Sequence, residues 1–156
     1  MTFDSDYEPF FEPPGWIIGP VWAVLYTTIA MSFISILSKK EELQQFNLIV
    51  ACFIIQLALN LAWPSVFNSE QYLISLLMII GMIVFSVAYV VLIHETIPFA
   101  SRLMWPYIAW VSFAGLINTA YLLKSQETGW NILEAFIRET PEKLANAYAG
   151  IFAHHL

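Results

Sequence analysis

The chain has 156 residues, of which 59% are hydrophobic and 12% charged, with a formal net charge of −6. So few charged side chains cannot cover a water-soluble domain of this size, and an acidic balance argues against a nucleic-acid partner. The single cysteine, Cys52, cannot form an internal disulfide. Length and composition together predict one integral membrane domain.

Four runs without charged residues follow one another in the chain, at 13–38, 43–69, 71–93 and 103–123. Each reaches the roughly 20 residues that cross about 30 Å of hydrocarbon. The runs are apolar all round, whereas a barrel strand would alternate in polarity. Because the connections are short, neighbouring spans must be antiparallel. The sequence therefore predicts an all-α membrane protein, an antiparallel bundle of four transmembrane helices at about residues 16–38, 44–67, 71–94 and 102–124.

The segments outside this 16–124 bundle are two polar tails. Residues 1–15 are predicted to form an acidic tail or lid, and residues 125–156 a C-terminal tail in which Thr140-Pro141 restarts an amphipathic helix over about 141–153. This helix could lie on the membrane surface, pack on a partner, or be only half ordered. An even number of spans places both tails and the turn near residues 68–71 on one membrane face, which we call the lid face.

Polar and aromatic side chains recur at helical spacing inside three of the four runs: Trp22 and Tyr26; Gln56, Asn60 and Trp63; and Trp110, Ala114 and Asn118. Polar groups are costly in lipid, so these stripes are expected to face the bundle interior. With a rise of about 1.5 Å per residue, several of them lie within about 10 Å of the lid face.

Two interpretations of these stripes follow. They could line a pocket for a flat apolar ligand, with Ala114 leaving room for a ring, or they could hold the helices together through interhelical hydrogen bonds. Two pairs of small residues, Gly15 with Gly19 and Ala58 with Ala62, indicate either a homodimer seam or close helix contact.

Three motifs in a fixed order carry a family resemblance: residues 13–22 (PPGWIIGPVW), 56–64 (QLALNLAWP) and 106–113 (PYIAWVSF). They resemble the TspO/MBR family, the tryptophan-rich sensory proteins related to the translocator protein or peripheral benzodiazepine receptor. The resemblance implies a helical membrane protein that binds porphyrins, and in some members sterols, in a cavity under the loop before the first motif. It assigns pocket roles to Trp22, Asn60, Trp63, Trp110 and Ala114.

The resemblance also implies a fifth helix at the start of the chain. Only about a dozen residues precede Pro13, so we expect this chain to correspond to the last four helices of the family. A second copy, the C-terminal segment or lipid would then cover one wall of the pocket.

The spans have no Asp, Glu, Lys or Arg in their interiors, so we expect neither catalytic residues nor an enzyme. The sequence shows no third metal ligand near His94 or near the pair His154 and His155, and no metal site is predicted. The expected function is that of a membrane receptor or sensor that sequesters a tetrapyrrole such as haem, with no required cofactor. The alternatives are a transporter of porphyrin or sterol, a dimerising remnant that modulates a partner, and, more weakly, light-dependent porphyrin degradation at Trp22 and Trp110.

Overall fold

A computed structural model describes residues 9–153 of the chain and the side chains of residues 9–131. Nearly all of this part is helical, in α1 (Gly15–Ser38), α2 (Phe46–Asn68), α3 (Tyr72–Ile93) and α4 (Pro98–Ala153). Each helix contains a stretch long and apolar enough to cross a membrane. The expected all-α fold of an integral, multi-pass membrane protein is confirmed.

The predicted and observed helix ends differ most in α4. The helix begins at Pro98 rather than near residue 102, because proline suits the first helical position. It also continues to Ala153, whereas the sequence analysis expects an end near 124 and a new helix near 141. Residues 124–139 contain Gly129 but no proline, and the helix also runs through Pro141, so neither the polar segment nor the Thr140-Pro141 pair ends it.

Residues 9–121 form one compact unit, and the rest of α4 belongs to a second. Within the second, Lys124 lies 3.4 Å from Glu127. The apolar stripe expected over residues 144–152 lies beyond the described side chains. Residues 1–8 of the acidic tail, His154 and His155 lie outside the described residues.

The bundle is organised around the α2–α3 hairpin. Its turn is tight, with Glu70 at a positive φ of 59°. The helices approach closely at single glycines: a Cβ atom on Gly81 would lie 3.0 Å from Leu59, and one on Gly115 would lie 3.2 Å from Ile79. By contrast, a Cβ atom on Gly15 or Gly19 would meet nothing within 4 Å. The predicted small-residue pair in α1 is therefore not where the described helices make close contact.

The inward faces of the helices carry most of the buried polar side chains, whereas the outward faces are apolar. Val24, Leu61 and Val91 are 62%, 65% and 67% exposed on the outside of the bundle. The fully buried polar side chains are Ser32, Gln56, Ser75, Ser86, Ser101 and Asn118. An apolar exterior around a partly polar interior is the arrangement expected in a lipid bilayer, because polar groups are costly in hydrocarbon.

Candidate functional site: a tryptophan-lined slot at the lid face

One cavity joins four of the predicted site residues. Trp22 of α1, Trp63 of α2, and Trp110 and Ala114 of α4 all line it. Six further residues complete its walls: Glu12, Pro13, Ile18, Phe67, Phe113 and Ile117. We call this cavity the slot. Side chains that lie far apart in the chain meet here because each of the three helices turns the corresponding stripe inward.

The slot is narrow, with a volume of about 40 Å³. Pockets for drug-sized ligands commonly measure about 300–1,000 Å³. The described arrangement therefore has room for the edge of a flat ring between the indoles, and a larger ligand would require its walls to move.

The segment of residues 9–14, which we call the strap, forms one wall of the slot. Glu12 N–H donates to the Pro9 carbonyl at 2.9 Å, which closes a turn in the strap. The Tyr121 hydroxyl donates to the Glu12 carboxylate at 2.8 Å. The ring of Phe11 also meets that of Phe113 edge-on, with centroids 6.4 Å apart. These contacts hold the strap against α4.

Neighbouring rings fix the orientation of each indole. Trp22 stacks on Tyr26 with centroids 5.3 Å apart. Trp63 lies 5.1 Å from Phe67, and Trp110 lies 5.9 Å from Phe113. Aromatic contacts at these separations stabilise a defined ring geometry beyond simple area burial. Tyr26 thus supports Trp22 from outside the slot, whereas Phe67 and Phe113 contact their indoles within its walls.

Asn118, which the sequence placed in the site, holds three helices together. Its Oδ1 accepts hydrogen bonds from the Ser75 hydroxyl at 2.6 Å and from the Trp63 indole N–H at 3.4 Å. Its Nδ2 donates to the Tyr72 carbonyl at 2.8 Å. The side chain is completely buried and is not among the residues that line the slot. Its geometry positions Trp63, which does line the slot.

The remaining predicted polar residues also lie behind the slot. The Tyr26 hydroxyl donates to Asn60 Oδ1 at 2.7 Å, which ties α1 to α2. Gln56 is fully buried about 10 Å along α2 from Trp63. Neither its Oε1 nor its Nε2 has a hydrogen-bond partner among the described residues, and the same is true of Ser86 Oγ.

The slot residues that sequence reasoning missed fall into two groups. Ile18, Phe67, Phe113 and Ile117 lie three or four positions from a predicted residue on the same helix, so the helical rule could have found them. They are apolar like their surroundings, and contrast in polarity therefore gave no signal. Glu12 and Pro13 precede α1, where no periodicity applies.

The fold and the convergence of three indoles define an integral, multi-pass membrane protein with an aromatic slot at one face. The sequence matches the TspO/MBR family over residues 2–123, and the chain belongs to this family. The resemblance carried by the three motifs is thereby confirmed.

The relatives are translocator and tryptophan-rich proteins. The Homo sapiens translocator protein is 34% identical over 130 residues, which cover 79% of this chain and 73% of that protein. The tryptophan-rich protein TspO of Chlorobaculum tepidum is 33% identical over 116 residues, covering 74% and 73%. The Bos taurus translocator protein is 36% identical over 124 residues, covering 74% and 70%. The chain is therefore grouped with membrane translocator and sensor proteins.

Proposed function

We propose that this protein is a membrane receptor or sensor that sequesters a tetrapyrrole, such as protoporphyrin or haem, at the slot. The observation that carries the proposal is the convergence of Trp22, Trp63 and Trp110 around Ala114. Indole faces stack well on a flat aromatic macrocycle, and the small Ala114 side chain leaves space for its edge. The tetrapyrrole would be the ligand, and no cofactor is required.

The volume of the slot bears on how such a ligand would bind. A tetrapyrrole cannot enter about 40 Å³ without displacing part of the wall. The strap is a wall outside the helices, and side-chain contacts at Tyr121 and at Phe113 hold it against α4. We propose that the strap lifts when the macrocycle inserts. Among the described residues, Glu12 is the only charged one that lines the slot, so the acidic side chains of a porphyrin should point away from it.

Sequestration agrees better with the bundle interior than transport of porphyrin or sterol does. Below the slot the interior is filled by Met82, Tyr89 and Tyr107, each at most 2% exposed. A transporter would need a route past these side chains to the opposite face.

The slot also favours a binding protein over an enzyme. Its walls are aromatic and aliphatic apart from Glu12, whose carboxylate accepts the Tyr121 hydroxyl. General acid–base catalysis needs titratable groups within reach of the substrate. A single carboxylate that already accepts a hydrogen bond does not meet this requirement well.

Filling the slot tests the proposal directly. In Ala114→Leu the added methyl groups should occupy the space for the ring edge and lower protoporphyrin affinity at least about tenfold. Ala109→Leu is the matched control, because Ala109 is exposed on the same helix. Affinity would be measured by the shift of the porphyrin absorption band and by tryptophan quenching in detergent.

Two further variants locate the ligand. Trp22→Phe and Trp110→Phe should each weaken binding and reduce quenching, whereas Trp16→Phe, at an indole 76% exposed, should do neither. Equal affinity of the Ala114→Leu and Ala109→Leu proteins would reject the slot as the binding site. Assembly into dimers without any porphyrin binding would instead favour the dimerising alternative.

A further inference from the structure

A second and much larger pocket lies at the membrane face opposite the lid face. Its volume is about 590 Å³, within the range of about 300–1,000 Å³ common for ligand sites. The turn before α2, the turn between α3 and α4, and Trp105 of α4 form its walls. We call it the opposite-face pocket. None of its residues lines the slot.

The chemistry of the opposite-face pocket favours a cation. Among the described residues, those that line it include Glu42, Glu95 and Trp105 but no Lys or Arg. Glu42 is already engaged with Lys39 at 3.2 Å. Glu95 is exposed and makes no salt bridge within the described part of the chain. A carboxylate together with an aromatic face is a good environment for an ammonium group.

Polar neutral groups in the same pocket can serve a second part of the ligand. Gln44 and Gln45 are exposed on the turn before α2, and their amides can donate hydrogen bonds to phosphate oxygens. His94 also lines the pocket, and its Nδ1 lies 3.2 Å from the Ser101 hydroxyl. The pocket thus offers acceptors for a positive charge and donors for a negative one.

The pocket also opens toward the lipid. Trp105 lies seven residues into α4, about 10 Å along its axis, and is 53% exposed. Val91 lies two residues before the end of α3 and is 67% exposed. These positions lie near the boundary between head groups and acyl chains, where tryptophan is enriched. A ligand held there can keep an apolar part in the membrane.

From these observations we propose that the opposite-face pocket binds the head group of a zwitterionic membrane phospholipid. The ammonium group lies against Trp105 and Glu95, the phosphate accepts hydrogen bonds from Gln44 and Gln45, and the acyl chains leave past Val91. An anionic phospholipid is disfavoured, because among the described residues Glu95 has no salt-bridge partner and no Lys or Arg lines the pocket.

Native mass spectrometry of the purified protein tests this assignment. The protein in detergent would be titrated with dioleoyl phosphatidylcholine or with dioleoyl phosphatidylglycerol, which carry the same chains. We expect the first phosphatidylcholine to bind about tenfold more tightly than phosphatidylglycerol, and Glu95→Gln and Trp105→Leu each to reduce that preference about fivefold. Trp16→Leu, a change at an exposed indole outside the pocket, should leave it unchanged.

The outcomes separate the proposal from its alternatives. Equal affinity for the two lipids, or equal effects of Trp105→Leu and Trp16→Leu, would overturn it. Soluble phosphocholine that displaced the lipid at similar concentration would show a site for the free head group and would reject the membrane lipid. Glu95→Gln alters an exposed side chain, so it carries the test if Trp105→Leu does not fold. Porphyrin binding at the slot should be unaffected by either variant.

Discussion

The cavities at the two ends of the bundle are formed by different kinds of structure. At the lid face, segments distant in the chain converge on a slot of about 40 Å³, walled by rings and closed by the strap. At the opposite face, two turns and one indole frame a pocket of about 590 Å³. Aromatic contacts and the Tyr121–Glu12 hydrogen bond hold the walls of the slot, whereas turns frame the opposite-face pocket. The volume of a cavity alone therefore does not show at which end of the bundle the fold holds the cavity walls in place.

The largest expected effect concerns the interlocking contacts at the lid end. Asn118→Leu would leave the Ser75 hydroxyl, the Trp63 indole N–H and the Tyr72 carbonyl without that partner. Because buried polar groups without partners are costly, we expect the free energy of unfolding to fall by about 2–3 kcal/mol. Loss of helical signal during titration with SDS would measure it.

Thr119→Val is the control for this prediction. The Thr119 hydroxyl bonds only the Gly115 carbonyl one turn back, so its loss should change stability by less than about 0.5 kcal/mol. Similar losses in the two variants would mean that the lid end is not interlocked through Asn118.

The two buried amides should respond in opposite directions. Gln56 is as buried as Asn118, yet neither polar atom of its side chain has a partner among the described residues. Replacing it by methionine, of similar length and shape, should stabilise the fold by about 1 kcal/mol, since a desolvated amide is removed. The same SDS titration applies. A loss of stability in Gln56→Met would show that the amide is bonded in the membrane.

Helix spacing provides the next test. Gly115 adjoins Ala114, and a Cβ atom there would lie 3.2 Å from Ile79, a buried and stiff side chain. Gly115→Ala should therefore cost about 1 kcal/mol. At Gly19, where nothing lies within 4 Å, the same change should be neutral or stabilise α1 by up to about 1 kcal/mol. If Gly19→Ala proved the more harmful change, or altered the mass of the assembly, that face of α1 would be a contact between copies.

The smallest expected effect is kinetic. Tyr121→Phe removes the hydroxyl that donates to Glu12 but keeps the ring stacked on Tyr72, 5.6 Å away. The strap should lift more often, so the association rate of protoporphyrin should rise about two- to fivefold with little change in fold. Stopped-flow quenching would follow it, with Tyr72→Phe as the control. Identical rates in both variants would remove the strap from the binding step.

The sequence predicted the parts of the slot that helices provide. Trp22, Trp63, Trp110 and Ala114 lie on inward stripes, and the cost of polar groups in lipid requires such stripes to meet. The sequence could not distinguish residues that line the slot from residues that pack between helices. Asn118 and the slot residues share one helix face, and side-chain geometry at the level of single ångströms decides that Asn118 bonds Ser75 instead.

The remaining features have no periodic signal. Glu12 contacts Tyr121 across 109 positions of sequence, and the sequence of the strap contains no pattern that predicts this contact. The opposite-face pocket arises from turns, whose paths depend on how α2 and α3 pair. Helix α4 continues past Lys124 and through Pro141, although helix propensity alone favours a break there.

The lengths of the helices have a consequence for the surrounding membrane. The 24 residues of α1 and the 22 of α3 correspond to about 36 and 33 Å along their axes, against about 30 Å of hydrocarbon in an average bilayer. Helix tilt, local thickening of the lipid or extension of the helix ends into the head groups can accommodate this difference. Reconstitution in lipids of increasing chain length should therefore change porphyrin affinity and lipid preference together, because both ends of the bundle sit on the same helices.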